Sequence, residues 1–126
     1  MTSKTASEAP QTQGPEDADA KFERWKAEDP FSGILPALLN SADIHDYITT
    51  TGMVDPYDPR LMKSSSYEAR IGDKAYYWDD GGNKIALTLD EESSVKLKPN
   101  SLVFLETKEI FRLPPYMAIR LSLIHI

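Results

Sequence analysis

The sequence contains no cysteine, and this absence removes several kinds of chemistry at once. Disulfide bonds, thiolate zinc sites and cysteine nucleophiles all require a thiol group. Two histidines occur, His45 and His125, which are too few for a zinc site built from histidines. We expect His45 to be an exposed residue of a helix and His125 to lie in a strand, so no Ser-His-Asp arrangement can be argued from them.

Basic residues are outnumbered, because 14 Lys and Arg stand against 20 Asp and Glu and give a formal net charge of −6. Such a surface offers no basic stripe, so we expect no nucleic-acid polymer as a partner. No run approaches the roughly 18 consecutive apolar residues of a transmembrane helix, and no leader-like pattern opens the chain. We therefore expect a cytoplasmic protein of one small domain that has no membrane partner.

Glycine-rich phosphate loops are also missing from the sequence, because the glycines at 81–82 stand alone in a turn-like segment. Paired carboxylates that could serve acid-base chemistry occur at residues 79–80, at residues 91–92, and as Glu106 with Glu109. The first two pairs lie in polar, turn-like surroundings where solvent keeps the two groups ionised. We therefore interpret these two pairs as solvated surface.

The first 20 residues contain no leucine, isoleucine, valine or aromatic residue. Such a segment cannot bury enough apolar surface to offset the entropy of ordering, so we predict a disordered tail over residues 1–20. Residues 21–39 are predicted to form a helical and apolar docking segment, with Phe22 and Trp25 at helical spacing. Its apolar patch fits two roles, a cover for a sheet edge or neighbouring subunit, or an ordinary arm that packs against the core.

One short helix is predicted directly after this segment. Asn40 has the chemistry of an N-cap residue, and Ile44, Tyr47 and Ile48 follow at the spacing of one helical face. Gly52 stands where a helix commonly ends. The pattern predicts a helix of roughly two turns.

From Tyr67 onward the pattern is that of β-strands. Tyr67 and Ile71 are expected to share a buried face, while Glu68 and Arg70 share the opposite face and could form an ion pair. Turn-forming residues follow at 79–83 and at 99–100. The strand that begins at Tyr67 is predicted to continue at residues 75–78. Further strands are predicted at residues 85–89, 95–97, 102–105 and 116–126. The strand at 102–105 is apolar on both faces, which predicts a position between two layers.

Five segments together resemble the dCTP deaminase and trimeric dUTPase superfamily. Residues 66–72 (SYEARIG) resemble its first motif, and residues 105–115 (LETKEIFRLPP) resemble a later strand that ends in Leu-Pro. Residues 40–44, 52–57 and 98–105 resemble further family segments in the same order. The resemblance implies a mainly β fold, a partial dUTPase-like distorted β-barrel with a short N-terminal helix. Residues 40–126 then form an incomplete dUTPase-like β-domain.

The resemblance also implies a function in pyrimidine deoxynucleotide metabolism. Family members deaminate dCTP to dUTP by water attack without zinc, and three subunits build each active site. A deoxynucleotide triphosphate ligand and a homotrimer are therefore implied. The family's Gly-Arg-Ser segment and general-base glutamate have no counterpart here, where residues 118–126 read AIRLSLIHI. We accordingly expect no catalytic residue in this chain and interpret it as the N-terminal part of a longer protein.

Glu68 is the one candidate metal ligand, and it too comes from the resemblance. In dUTPases an acidic residue at this place of the first motif helps to hold the Mg²⁺ that neutralises the triphosphate. The sequence has glutamate where the family has aspartate. The alternative is a structural role in an ion pair. No tightly bound cofactor is expected, only Mg²⁺ that accompanies the nucleotide.

Three functions remain open from the sequence. The first is a dCTP deaminase-like enzyme, of which this chain alone is inactive. The second is a catalytically silent dUTPase-fold module for trimer assembly or nucleotide sensing. The third is an interaction module that uses the apolar residues 31–39 as its contact surface.

Overall fold

The computed structural model describes residues 14–90 and 92–123. The helices are α1 (Pro15–Trp25) and α2 (Ser41–Thr51), and a single 3-10 turn spans Pro59–Leu61. The strands are β1 (Val54–Asp55), β2 (Ile71–Trp78), β3 (Lys84–Thr88), β4 (Val103–Thr107) and β5 (Ile110–Phe111). The predicted mainly β class is confirmed, as two small antiparallel sheets with two helices. Neither sheet closes into a barrel in this part of the chain.

The described chain divides into two compact units. Unit 1 comprises residues 14–68 and 110–123, and unit 2 comprises residues 69–90 and 92–109. The predicted boundary between residues 39 and 40 coincides with neither division. Of the helices within 14–90 and 92–123, none has the length and apolarity that crossing a bilayer requires.

Helix α2 of unit 1 forms as its capping residues predict. The Asn40 side chain accepts a hydrogen bond of 2.9 Å from the Asp43 amide, and Gly52 ends the helix with φ 66°. The helix has 11 residues and is therefore longer than predicted. Its last turn is threonine-rich, and the Thr51 hydroxyl donates back to the Tyr47 carbonyl at 2.7 Å.

The core of unit 1 lies where α2 meets β1. Its buried members are Tyr47, Ile48, Met53 and Val54. Burying side chains of this size stabilises a fold by about 1.5–3 kcal/mol each. Strand β5 completes this side of the core, because Phe111 pairs with Val54 and packs against the cluster.

The segment at 21–39 contributes to this core. Phe31 meets the Tyr47 ring edge-on at 5.0 Å between centroids, and Ile34 and Leu39 pack against the same cluster. These contacts are those of a core-packing arm. Leu35 and Leu38 remain 81% and 86% exposed. The docking of a neighbouring subunit on these two leucines stays a prediction.

The predicted disordered tail is wrong for residues 15–20, which form the first half of α1. Pro15 fits the first helical turn because its missing N–H is not needed there, and the acidic Glu16 and Asp17 suit the N-terminal end of the helix dipole. Small size replaces hydrophobicity at the contact, since Ala18 is buried and packs against Gly52. Residues 1–13 of the predicted tail lie outside the described residues.

Two distant contacts hold α1 in unit 1. Arg112 Nε lies 2.7 Å from the Asp19 carboxylate, and the Tyr116 hydroxyl donates to the Trp25 carbonyl at 2.7 Å. Both partners come from the segment that follows β5. A composition rule that considers residues 1–20 alone cannot detect them.

Unit 2 is a three-stranded sheet in the order β3-β2-β4. The predicted turn at 79–83 is confirmed, because one Asp79 carboxylate oxygen accepts hydrogen bonds from the Gly81 and Asn83 amides at 2.9 and 2.8 Å. The predicted turn at 99–100 is also confirmed, with Asn100 at φ 59°. Local turn chemistry therefore determines both connections.

Several strand predictions are wrong. Strand β2 begins only at Ile71, which is 62% exposed instead of buried. Strand β4 is an outer strand with Leu105 46% exposed, not a strand between two layers. Residues 95–97 and 116–123 form no strand, and residues 124–126 lie outside the described residues. Apolar patterns indicate a tendency to be buried, but a strand also needs a hydrogen-bonded neighbour.

Gly52 provides a test of the α1–α2 contact. A Cβ atom at Gly52 would lie 2.4 Å from the Ala18 carbonyl oxygen, and φ there is +66°. We expect Gly52→Ala to lower the free energy of unfolding by at least about 2 kcal/mol, since the left-handed conformation alone costs about 1–2 kcal/mol. Gly33→Ala is the matched control, because nothing lies within 4 Å of its Cβ position. Urea denaturation measures both, and equal stability of the two variants would contradict the close packing.

Candidate functional site

The predicted metal ligand Glu68 lies in unit 1 beside a cation. Its carboxylate is 3.9 Å from Lys63 Nζ, and its amide donates to the Leu61 carbonyl at 3.0 Å. No group of three or more His, Asp or Glu side chains that could hold a metal ion occurs within residues 14–90 and 92–123. A Mg²⁺ ion at Glu68 would therefore depend on nucleotide phosphates for its other ligands. The magnesium role of Glu68 stays a prediction.

Arg70 belongs to unit 2, where it contacts Glu109. Arg70 Nε lies 2.7 Å from Glu109 Oε1, and the Arg70 amide donates to Oε2 at 2.9 Å. The Glu109 side chain is 0% exposed and that of Arg70 is 30% exposed. A buried carboxylate is costly without a partner, and here both of its oxygens accept hydrogen bonds. The pair is therefore a structural connection.

Two further features bring the same segments together. The Lys108 amide donates to the Arg70 carbonyl at 2.8 Å. A Cβ at Gly72 would lie 3.2 Å from the carbonyl oxygens of Glu106 and Thr107, so a larger residue would press on the facing strand. Of the pattern at residues 66–72, Arg70 and Gly72 therefore have structural roles against the segment that contains Glu109.

Arg112 and Arg120 are the other arginines of the predicted strand region. Arg112 is engaged with Asp19, and Arg120 lies exposed in an irregular segment. A triphosphate site needs several cationic donors that converge. Because Arg70 and Arg112 each neutralise a carboxylate, they do not form such a set.

The buried polar atoms of the β1–β5 pair are incompletely satisfied. Asp55 is 3% exposed, and its Oδ1 has no hydrogen-bond partner; the buried Nη1 of Arg112 also has none. Asp55 faces Ile110, and the Arg112 amide extends the ladder by donating to the Met53 carbonyl at 2.7 Å. Side chains alternate between faces along a strand, so Asp55 and Arg112 share one face. On that face Asp55 Oδ1 can still accept a hydrogen bond and Arg112 Nη1 can still donate one.

His45 is half-buried, which corrects the prediction of an exposed helix residue. Its Nδ1 lies 2.6 Å from the hydroxyl oxygen of Tyr57. Tyr57 belongs to the segment that follows β1. The Tyr57 ring packs against Tyr67 with centroids 5.8 Å apart. The helix pattern alone could not show this contact, because the partner comes from a different element.

The pKa of Tyr57 is raised to about 12, mainly by burial and in smaller part by the neighbouring Tyr67 and Asp58. The phenol is therefore protonated at neutral pH. The Tyr57 hydroxyl and His45 Nδ1 share a hydrogen bond of 2.6 Å, and the tautomer of His45 decides which of the two donates.

A shallow groove of about 380 Å³ lies in unit 2 beside Trp78. Its lining residues are Trp78, Asp80, Lys98, Pro99, Asn100, Ser101 and Leu102. The Lys98 ammonium is 3.1 Å from the Asp80 carboxylate, so the one cation of this lining is neutralised. The groove offers an aromatic wall but no charge set suited to a triphosphate.

The Arg70–Glu109 pair can be tested by a conservative change. We expect Glu109→Gln to lower the free energy of unfolding by about 3 kcal/mol, the lower end of the cost of breaking a buried ion pair, because Arg70 is 30% exposed. Glu68→Gln is the control, and it should cost at most about 1 kcal/mol since its ion pair is solvated. Chemical denaturation compares the two. A larger loss for Glu68→Gln would reverse the assignment.

Alkaline titration tests the environment of Tyr57. As pH rises from 10 towards about 12, the unfolded chain loses the Tyr57 proton while the folded chain keeps it. The folded state then binds more protons, so stability falls as pH rises through this window. Tyr57→Phe removes this contribution and should show a smaller loss of stability between about pH 9 and about pH 11. Unfolding at the two pH values measures the difference, and an equal loss in both proteins would contradict the raised pKa.

Comparison of the chain with protein-family models, with curated proteins and with solved structures finds no match. The functional assignment therefore rests on the residues and contacts described above.

Proposed function

We propose that the protein is a dCTP deaminase-like protein of pyrimidine deoxynucleotide metabolism, in which the residues described here serve as structural scaffold. The observation that carries the proposal is the Arg70–Glu109 pair, at 2.7 Å. It joins the two sequence segments on which the resemblance depends, residues 66–72 and 105–115. Similarity in two distant segments is more informative when the two segments contact each other.

Other residues of the resembling segments also have structural roles. Asn40 and Gly52 cap helix α2 at its two ends. Gly72 allows close approach to the strand that carries Thr107. These roles support a shared scaffold, and the distorted dUTPase-like barrel is the arrangement that we propose for it.

The proposed ligand is a deoxynucleotide triphosphate accompanied by Mg²⁺, bound by a homotrimer. A triphosphate needs neutralising groups, and the net charge of −6 works against its approach. Arg70 and Arg112 are engaged with Glu109 and Asp19, so they supply no free charge for phosphate binding. In the proposed protein, groups other than Arg70 and Arg112 therefore bind the phosphates and activate the water.

A catalytically silent module for trimer assembly or nucleotide sensing is the second candidate. The ion pairs of Arg70 and Arg112 favour this candidate, because both side chains stabilise the fold and neither needs to take part in catalysis. Nucleotide binding in the absence of turnover is its expected behaviour.

Thermal unfolding of the 126-residue chain with dCTP, dUTP or dATP, each with Mg²⁺, tests the proposal. We expect the two pyrimidine nucleotides to raise the melting temperature and dATP to have no effect, since a ligand that binds the native state stabilises it. We also expect no release of ammonia from dCTP and no release of pyrophosphate from dUTP.

Each result has a distinct meaning. An equal or absent response to all three nucleotides would contradict a role with pyrimidine nucleotides. Ammonia release would contradict the scaffold assignment. In the same assay, Glu68→Gln should abolish the Mg²⁺-dependent part of the shift if Glu68 assists the metal, and an unchanged shift assigns Glu68 to structure.

A further inference from the structure

Strand β4 forms the outer edge of the unit 2 sheet. Two hydrogen bonds at the ends of the β2–β3 pair determine which backbone groups of β4 face outward. The Leu89 amide donates to the Asp73 carbonyl at 2.7 Å, and the Asp79 amide donates to the Asn83 carbonyl at 2.9 Å. Odd-numbered residues of β2 therefore bond to β3. Since backbone groups alternate between the two neighbours of a central strand, even-numbered residues bond to β4.

The alternation on β2 determines the outer groups of β4. Tyr76 pairs with Phe104, so Phe104 uses its amide and carbonyl towards β2. Val103 and Leu105 then direct their amides and carbonyls away from the sheet. No other strand of the described chain pairs with this side of β4.

The side chains do nothing to protect this edge. Leu102, Phe104 and Leu105 are 76%, 43% and 46% exposed. Natural edge strands are commonly blocked by lysine, proline or a bulge. Strand β4 has neither lysine nor proline and carries one charge, Glu106. The β2–β4 ladder has a register shift between Ile71 and Ala75, but its extra residues belong to β2, so β4 itself continues from Val103 to Thr107. The opposite edge differs, because β3 begins with Lys84, whose ammonium lies 4.4 Å from the Tyr76 ring centroid. The unprotected edge is therefore β4.

We propose that β4 pairs antiparallel with β4 of a second copy of this chain, about a twofold axis at Leu105. Leu105 is the central residue of Val103–Thr107 and directs its backbone groups outward, so Leu105 and its equivalent in the second copy form a hydrogen-bonded pair. Val103 then faces Thr107, and Phe104 faces Glu106. The two three-stranded sheets become one continuous sheet.

The sequence of β4 is suited to pairing with β4 of a second copy. Twofold pairing is self-complementary, since each residue meets its counterpart in the reversed order. In this register apolar Leu105 meets apolar Leu105, and no like charges oppose each other. Strand β4 is also held in place before pairing, because the Phe104 ring stacks on Tyr76 at 5.0 Å with a 4° angle between the planes. Preorganisation of this kind lowers the cost of association.

The pairing involves no nucleotide and depends on the edge of unit 2. It requires that the proposed barrel leave the outer edge of β4 open, and together with the proposed threefold contact it gives six chains. A twofold contact gives assemblies with an even number of chains, whether or not a threefold contact is also present. The nucleotide assays therefore test ligand binding alone, and the chain count tests the β4 pairing alone.

Multi-angle light scattering across a concentration series counts the chains. We expect an even number for the native protein. Leu105→Lys places two ammonium groups against each other across the axis and should halve the number of chains. Ala86→Lys, at an exposed position of β3, is the matched control and should leave the number of chains unchanged. Circular dichroism verifies that each variant is folded. A monomer or a trimer at every concentration, or equal effects of the two variants, would overturn the proposal.

Hydrogen exchange of the native protein gives a test without substitution. The amides of Val103 and Leu105 should exchange about tenfold or more slowly in the concentrated, assembled sample than in the dilute one. The Phe104 amide, bonded to β2, should exchange at similar rates in both. Protection of Val103 and Leu105 that does not change with concentration, or no protection at all, would exclude pairing by a second copy and would assign the edge to a different partner or to solvent.

Discussion

The buried ion pair between Arg70 and Glu109 is the constraint on which unit 2 depends. The chain enters this unit at Ala69 and leaves it at Glu109, so the pair stands beside both crossing points. Its 2.7 Å contact closes a long loop of chain, and the hydrogen bond between Lys108 and Arg70 reinforces the closure. The strands between these points can keep their register because the two ends of the unit are fixed together.

Local chemistry was the part of the fold that the sequence could predict. Helix α2 begins after Asn40 and ends at Gly52, and the hairpin turns at Asp79, because the residues that decide these features are neighbours along the chain. Burial was predicted poorly. Ile71 was predicted to be buried from its alternating pattern and Leu105 from a continuous apolar run, and yet both are exposed, since neither pattern reveals whether a second layer is present.

The candidate site shows the same division. The pattern of residues 66–72 identified Glu68 and Arg70 as a possible pair on one face. The structure places Arg70 against Glu109, 39 residues further along the chain, and Glu68 near Lys63. The contact between His45 and Tyr57 was also missed, because it joins a helix to a loop. Contacts between residues of different elements depend on tertiary packing, and the spacing of residues along the chain does not predict them.

The attachment of α1 has a consequence for the order in which the chain can assemble. Its hydrogen bond from Tyr116 to Trp25 joins residues 91 apart, whereas the hairpin of unit 2 joins close neighbours. During synthesis α1 leaves the ribosome before Arg112 and Tyr116 exist, so of its contacts only the one with Gly52 of α2 can form early. Unit 2 is continuous in sequence and is complete by Glu109, while unit 1 must wait for the segment that follows it. The contacts of α1 with the segment that follows β5 are therefore among the last to form.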